Sequence, residues 1–215
     1  MSSIKLPHSS GNSMSIAAPA TNPASDLTLQ LPNSVGTGKI NHGNVLEQFF
    51  SPCDGSAITV PSGTYTVSDV TAEQDLTSSF ATCSGSSISY TPPAGTTMVI
   101  YEYHFQIRYK DQTPMVHFRT SIGGTEVTNF RRTQRADYQN MYDSLKFCFH
   151  IGGSASTTTG RQATWTSAKT ILIEAREYGS DQEAYLHSQD RWDGATVTAY
   201  VTKPSIGITA IGTPA

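Results

Sequence analysis

The sequence predicts an all-β protein: an extended N-terminal arm followed by a jelly-roll-like antiparallel β-sandwich. Composition is the first reason. Apolar residues are 37% of the 215 and charged residues 14%, both low for a globular domain, while Ser and Thr fill about a quarter of the chain. That mixture favours strands and turns over helices, and a formal charge of −3 is too small for charge-driven disorder. The second reason is a period-two pattern from Val99 to Tyr109, with every odd position apolar or aromatic and the even positions polar from Glu102 on. The third is the spacing of strand-like runs by turn residues, roughly eight or nine of them from Thr77 onward, as in a two-sheet sandwich.

Residues 1–44 form the arm. They carry almost no periodic apolar pattern except Asp26 to Pro32, where Leu27, Leu29 and Leu31 alternate with polar residues. A lone half-buried strand cannot make a core. It must pair with the rest of the chain, a sister subunit or a larger assembly, and Gly36-Thr37-Gly38 then reads as a hinge. Residues 45–75 read as a connecting segment with one small hairpin, Ala57–Val60 and Thr64–Val67 joined by the tight turn Pro61-Ser62-Gly63.

The head, 76–215, begins with two weak strands, Ser78–Cys83 and Ser87–Tyr90, the second stopped by Pro92-Pro93-Ala94-Gly95. Next, Val99, Tyr101, Tyr103, Phe105, Ile107 and Tyr109 share one face of a long strand, with Glu102, His104, Gln106 and Arg108 on the other. Pro114 to Ile122 repeats the pattern after Lys110-Asp111-Gln112-Thr113. Pairing the two as a hairpin, Tyr109 opposite Pro114 and Phe105 opposite Phe118, matches the apolar faces along the whole ladder. That register also sets His104 across from Arg119 and His117 across from Gln106. Three more strands follow: Tyr138–Ile151 (Leu145, Phe147, Phe149 inward), Lys169–Tyr178 (Ile171, Ile173, Ala175) and Ala195–Thr202 (Val197, Ala199, Val201). Gly152–Gly160 reads as a solvent-facing, mobile loop tip.

Chemistry is sparse. With 14 basic against 17 acidic residues and a pI near 6.0, the chain lacks the footprint of a nucleic-acid binder. Its basic cluster, Arg131, Arg132 and Arg135, reads as a solvated loop or interface patch. No apolar run approaches the ~20 residues of a membrane span, and the N-terminus lacks the apolar region of a secretory signal. Cys53, Cys83 and Cys148 form no CxxC pair and read as reduced thiols. The six histidines have no metal-ligand spacing. Asp190 and Asp193, flanking Arg191-Trp192, could suit a sugar hydrolase, but a polar loop closed by Gly194 explains them as well. No phosphate loop, G-x-S-x-G or HExxH is present. We expect no enzyme, no metal and no cofactor. Trp165, Trp192 and Tyr138 sit in polar contexts that suit surface recognition of glycans or proteins.

One further pattern is more specific. The strings Ser3-Ile4-Lys5-Leu6, His8-Ser9-Ser10-Gly11-Asn12, Ser15-Ile16-Ala17-Ala18-Pro19, Asn22-Pro23 and Leu27-Thr28-Leu29-Gln30-Leu31-Pro32 resemble a leader segment on virion structural proteins of marine tailed bacteriophages, cyanophages especially. The resemblance is dense over residues 1–32. It is looser in Ile58-Thr59-Val60-Pro61-Ser62-Gly63-Thr64-Tyr65 and in Ser86 to Pro93. Pro7 stands where members of that family often carry lysine. The resemblance implies a virion component assembled in the host cytoplasm, a tail fibre, spike or capsid knob. The arm would dock on other virion proteins through Ile4, Leu6, Ile16, Ala17, Leu27, Leu29 and Leu31, and a homotrimeric head would be displayed for attachment to a host-surface glycan or protein. The rival readings are a free carbohydrate-binding module and a depolymerase.

Overall fold

The computed structural model describes residues 3–7, 13–17, 44–109, 115–135, 140–179, 183–190 and 200–213. The chain divides into two compact units, residues 1–40 and 41–215.

In the first unit, β1 (Ser3–Pro7) pairs antiparallel with β2 (Ser13–Ala17), setting Ile4 opposite Ile16 and Leu6 opposite Met14. Met14, absent from the expected docking set, is thus the partner of Leu6, whereas Ala17 stands opposite Ser3. Leu27, Leu29 and Leu31 lie outside the described residues.

The second unit is an antiparallel, jelly-roll-like sandwich of two six-stranded sheets. In the first sheet β9 (Thr96–Tyr109) is central, with β13 (Asn140–His150) along one edge. Along its other edge run β18 (Ser205–Gly212) and then β15 (Ala184–Leu186). β3 (Asn44–Pro52) flanks β18, and β6 (Gln74–Asp75) flanks β15. In the second sheet β10 (Met115–Ile122) and β14 (Lys169–Glu177) lie side by side. β11 (Thr125–Glu126) and β12 (Arg132–Arg135) border β10, while β7 (Ala81–Thr82) and β8 (Ile88–Tyr90) border β14. The described residues contain no α-helix, only a 3-10 turn at Thr128–Phe130.

The expected hairpin between β9 and β10 does not exist. Both edges of β9 are taken by first-sheet strands and both edges of β10 by second-sheet strands, so the two face each other across the core. Phe105 and Phe118, expected side by side, meet ring to ring at 5.4 Å from opposite layers. Alternation states which way a strand's apolar face points, and a strand across the core satisfies it as well as a neighbour in the sheet. His104 accordingly sits between Ser144 and Ser205, and His117 between Thr133 and Arg176.

The inward sets of β9, β13 and β14 are those expected: Val99 to Ile107, Leu145, Phe147, Phe149, Ile171, Ile173 and Ala175 are all buried. The small hairpin forms too, β4 (Ala57–Val60) with β5 (Gly63–Thr66) around Pro61-Ser62. The rest of 45–75 does more than connect. β3 is a strand of the first sheet, and Cys53, Tyr65, Val67 and Val70 are core residues. Gly85 closes against this region at φ +82°, where a Cβ would lie 2.9 Å from Cys53 Sγ and from Val70 Cγ2. Of the strand expected at Ala195–Thr202, the described part is the exposed β17 (Tyr200–Val201), paired with β16 (Ser188–Gln189). The buried C-terminal strand is β18, which brings in Ile206, Ile208 and Ala210. The Gly152–Gly160 loop, expected to be mobile, is exposed at its tip but fastened. Thr157 and Thr158 carbonyls accept from Thr128 and Asn129 N–H groups, and Gly160 N–H closes on Ser156 O at 2.9 Å.

Candidate interaction surfaces

Trp165 is not a recognition platform. It is 4% exposed, its Nε1–H donates to the Tyr90 carbonyl at 3.0 Å, and it stands edge-on to Tyr90 and Phe149. The polar flanks Thr164 and Thr166 suggested exposure, but a large indole closes one end of the sandwich while its N–H finds a backbone partner. Trp192, Asp193 and Tyr138 lie outside the described residues. Asp190 is held as part of a loop clamp, its N–H donating to Asn140 Oδ1 while Asn140 Nδ2 donates to the Asp190 carbonyl.

The first sheet mixes apolar and polar residues on its outer face at one end. The register places Val45, Ile211, Met98 and the exposed His150 in one row and Gln48, Thr209, Ile100 and Cys148 in the next, where Gln48 Nε2 donates to Thr209 Oγ1 at 2.9 Å, with Phe50 lying over Gly207 in the third. Val45 is 57% exposed and Phe50 52%; Met98, Ile100, Cys148 and Ile211 are half-buried. Toward the other end the face turns polar, with Lys146 and Glu102 paired at 2.9 Å and His104 stacked on the exposed Tyr142. All three cysteines are free. Burial, with a smaller push from Asp54, raises the Cys53 thiol to about 11, and burial also raises Cys83, so neither is a nucleophile near neutrality.

The second sheet's outer face is charged. Cross-strand pairs set His117 beside Arg176 and Arg119 beside Glu174. Arg119 holds Glu174 with two parallel bonds, Nε at 2.7 Å and Nη2 at 2.9 Å, and these bonds raise its basicity further. Arg131 Nε donates to Glu126 at 2.6 Å. Phe80 lies beneath two guanidinium groups, with Arg119 Cζ 4.3 Å and Arg176 Cζ 5.2 Å from its ring centre. Arg132, cross-strand from the inward Phe118, turns away from this face and sets its Cζ 5.5 Å from the ring centre of Phe147 in the first sheet. Burial, helped by Arg176, keeps the His117 imidazole below its ordinary value. Between these groups lies a depression of about 360 Å³. It adjoins one of about 420 Å³ through Arg119 and Glu126, and one of about 510 Å³ through Glu126.

Of the linear cluster Arg131, Arg132 and Arg135, only Arg131 and Arg132 border this depression, and the Arg132 guanidinium is turned over Phe147. Arg119 and Arg176 join them from β10 and β14, a convergence that only strand pairing produces. Among the described residues, no group of three or more His, Cys, Asp or Glu is placed to hold a metal ion.

No family model matches this chain, and no curated protein is similar to it. Among solved structures, a chain in a structure of infectious bursal disease virus, Gx strain, is similar at a TM-score of 0.33 and 12% identity. The match covers 79% of this chain and 36% of that one, so the present chain spans about a third of its neighbour's length.

Proposed function

We propose that this chain is a non-enzymatic structural subunit of a phage virion. Its N-terminal arm docks on the particle, and its β head stands on the surface as a homotrimer serving host attachment, in a tail fibre, spike or capsid knob. The resemblance of residues 1–32 to the phage leader supports the virion setting. The observation that carries the subunit reading is the outer face of the first sheet. Val45, more than half exposed, shares a cross-strand row with half-buried Ile211 and Met98, and Phe50, also more than half exposed, covers Gly207 on the far side of the Gln48–Thr209 pair. Large apolar side chains exposed in this way suit burial against another subunit.

Sedimentation of the full chain tests the assembly. A species of three times 23.1 kDa is expected, shifting to monomer in Val45→Asp/Phe50→Asp; a parent that stays monomeric at micromolar concentration removes the trimer. Removal of residues 1–32 should leave a folded β domain that no longer joins particles. Copy number per particle separates a tail appendage from a capsid knob. The free carbohydrate-binding module loses half of its expected platform, because Trp165 is in the core.

A further inference from the structure

We propose that His187 is an acid-released latch, which holds the β16–β17 ribbon against the first sheet while neutral and frees it when protonated. The inference is independent of the subunit reading above. The chain leaves the first sheet at this residue. Leu186 before it still pairs with Ile107 of β9, whereas Ser188 after it pairs with Val201 of β17. His187 makes the turn at φ 63°, and among the described residues it alone is left-handed without being glycine. Histidine tolerates that conformation at some cost.

The buried ring is built for one protonation state. It is fully enclosed, and its Nε2 lies 3.3 Å from Tyr103 OH, which donates to the Ser84 carbonyl at 2.6 Å. A hydroxyl whose proton is committed to Ser84 can only accept from the ring, so Nε2 carries the hydrogen and Nδ1 is the bare nitrogen. Nδ1 is buried with no partner. A proton added there makes a cationic N–H without an acceptor, a far costlier defect than the unused lone pair of the neutral ring. The packed neighbours do not relieve it. Tyr103 on β9 and Cys83 beside Ser84 are kept neutral by burial. Arg108, bonded to Ser188, pairs with Glu73 at 2.8 Å, and Lys203, next to Thr202, pairs with Asp69 at 2.6 Å. Asp75, Glu183 and Asp190 lie on the flanking segments, and none of them bonds to Nδ1.

Opening is the cheaper response. β16 and β17 share only the pairs Ser188–Val201 and Gln189–Tyr200, and Tyr200 and Val201 are exposed. The ribbon is tied to the sheet by His187 N–H on the Gln106 carbonyl at 2.8 Å, by Arg108 Nε on Ser188 Oγ at 3.1 Å and by the Asn140–Asp190 clamp. Segments with so little buried apolar surface open at a fraction of the cost of global unfolding. Opening hydrates Nδ1, relaxes the left-handed turn and frees Arg108 Nε at the polar end of the first sheet. In the open state the ring titrates near its ordinary 6.5, so each pH unit below that value multiplies the open population about tenfold.

The test is amide hydrogen exchange of the full chain, corrected for the intrinsic effect of pH on exchange. The amides of His187, Asp190 and Thr202 should exchange at least about tenfold faster than those of β9 and β14. Their protection should fall about thirtyfold between about pH 7.5 and about pH 5. His187→Asn suits the left-handed turn and should flatten that response. If it melts too early to be read, His187→Gly takes its place. Asp190→Asn keeps both bonds of the clamp and should leave the response intact. The proposal is overturned if the three amides exchange only with the core, if their protection ignores pH, if the response survives removal of the imidazole, or if Asp190→Asn abolishes it.

Discussion

The two sheets of the sandwich both bury apolar side chains, but their outer faces are chemically inverted. The second hides apolar side chains, Val116, Phe118, Ile171, Ile173 and Ala175, and shows solvent a ladder of arginines and glutamates. The first shows solvent Val45 and Phe50 and sends polar groups inward. Glu47 is 5% exposed and accepts from Ser62 N–H at 2.9 Å, Ser62 Oγ at 2.6 Å and Tyr90 OH at 2.9 Å. Tyr101 and Tyr103 donate their hydroxyls to the Ser86 and Ser84 carbonyls, and His187 lies fully buried beside Tyr103. The contrast concerns dielectric. Identical bond types are worth different amounts on the two sheets, because losing an inward bond strands a desolvated partner while losing an outward one admits water.

The largest effect should come from Glu47. Its carboxylate joins β3 to the turn of the β4–β5 hairpin and to Tyr90 at the end of β8. Replacing it with alanine leaves the Ser62 N–H and the Tyr90 hydroxyl without their acceptor, while Ser62 Oγ keeps Tyr65 OH at 2.7 Å. At roughly 1–3 kcal/mol for each stranded group, the expected loss is about 3–5 kcal/mol in urea unfolding. A loss under about 1 kcal/mol would show that water replaces the carboxylate and that the inward network is no more enclosed than the outer ladder.

His187 gives an inward group that responds to pH. Its backbone is left-handed at φ 63°, its Nε2 lies 3.3 Å from Tyr103 OH, and its Nδ1 is buried without a partner. Burial lowers its value from 6.5 to about 4, against a smaller opposing effect from the Ser84 backbone. Between those two values the unfolded chain takes up a proton that the folded chain refuses. Stability therefore falls as pH drops through that window, by about 3 kcal/mol in all, and the deficit persists below it. His187→Asn retains a residue that tolerates the left-handed backbone and removes the titration. Comparing urea unfolding of parent and variant across that range should show a shallower slope in the variant. Equal slopes would assign the acid sensitivity to other groups.

The inversion also explains what could and could not be read in advance. β9, β13 and β14 were legible because most inward positions are apolar, Asp143 and Glu177 excepted, and most outward ones are polar. β3 was not, since Glu47 points in and Phe50 points out, which cancels the period-two signal that marks a half-buried strand. β18 hid for a related reason. Gly207 sits mid-strand where Phe50 covers it, and a glycine there reads as a break. The pairing of β9 and β10 failed differently, because alternation specifies a face and leaves the neighbour undetermined. Of the interaction surfaces, only Arg131 and Arg132 were visible as a cluster. Arg119, Arg176 and Phe80 reach them through cross-strand neighbours distant in sequence.

The outer ladder supplies the smallest effect and the sharpest control. Arg119 and Glu174 share two bonds of good geometry, yet their side chains are 33% and 22% exposed. Water and salt therefore screen much of the attraction, and a double-mutant cycle with Arg119→Gln and Glu174→Gln should return a coupling of about 0.5–1 kcal/mol. The coupling should shrink as salt is raised. Most of what Arg119 contributes is then position: it is stacked on Phe80 at little cost to the fold. A coupling above about 3 kcal/mol, insensitive to salt, would place this pair in the same dielectric regime as Glu47. The second sheet's outer face would then be a buried layer awaiting a partner, and the distinction between an inward structural network and an outward charged surface would collapse.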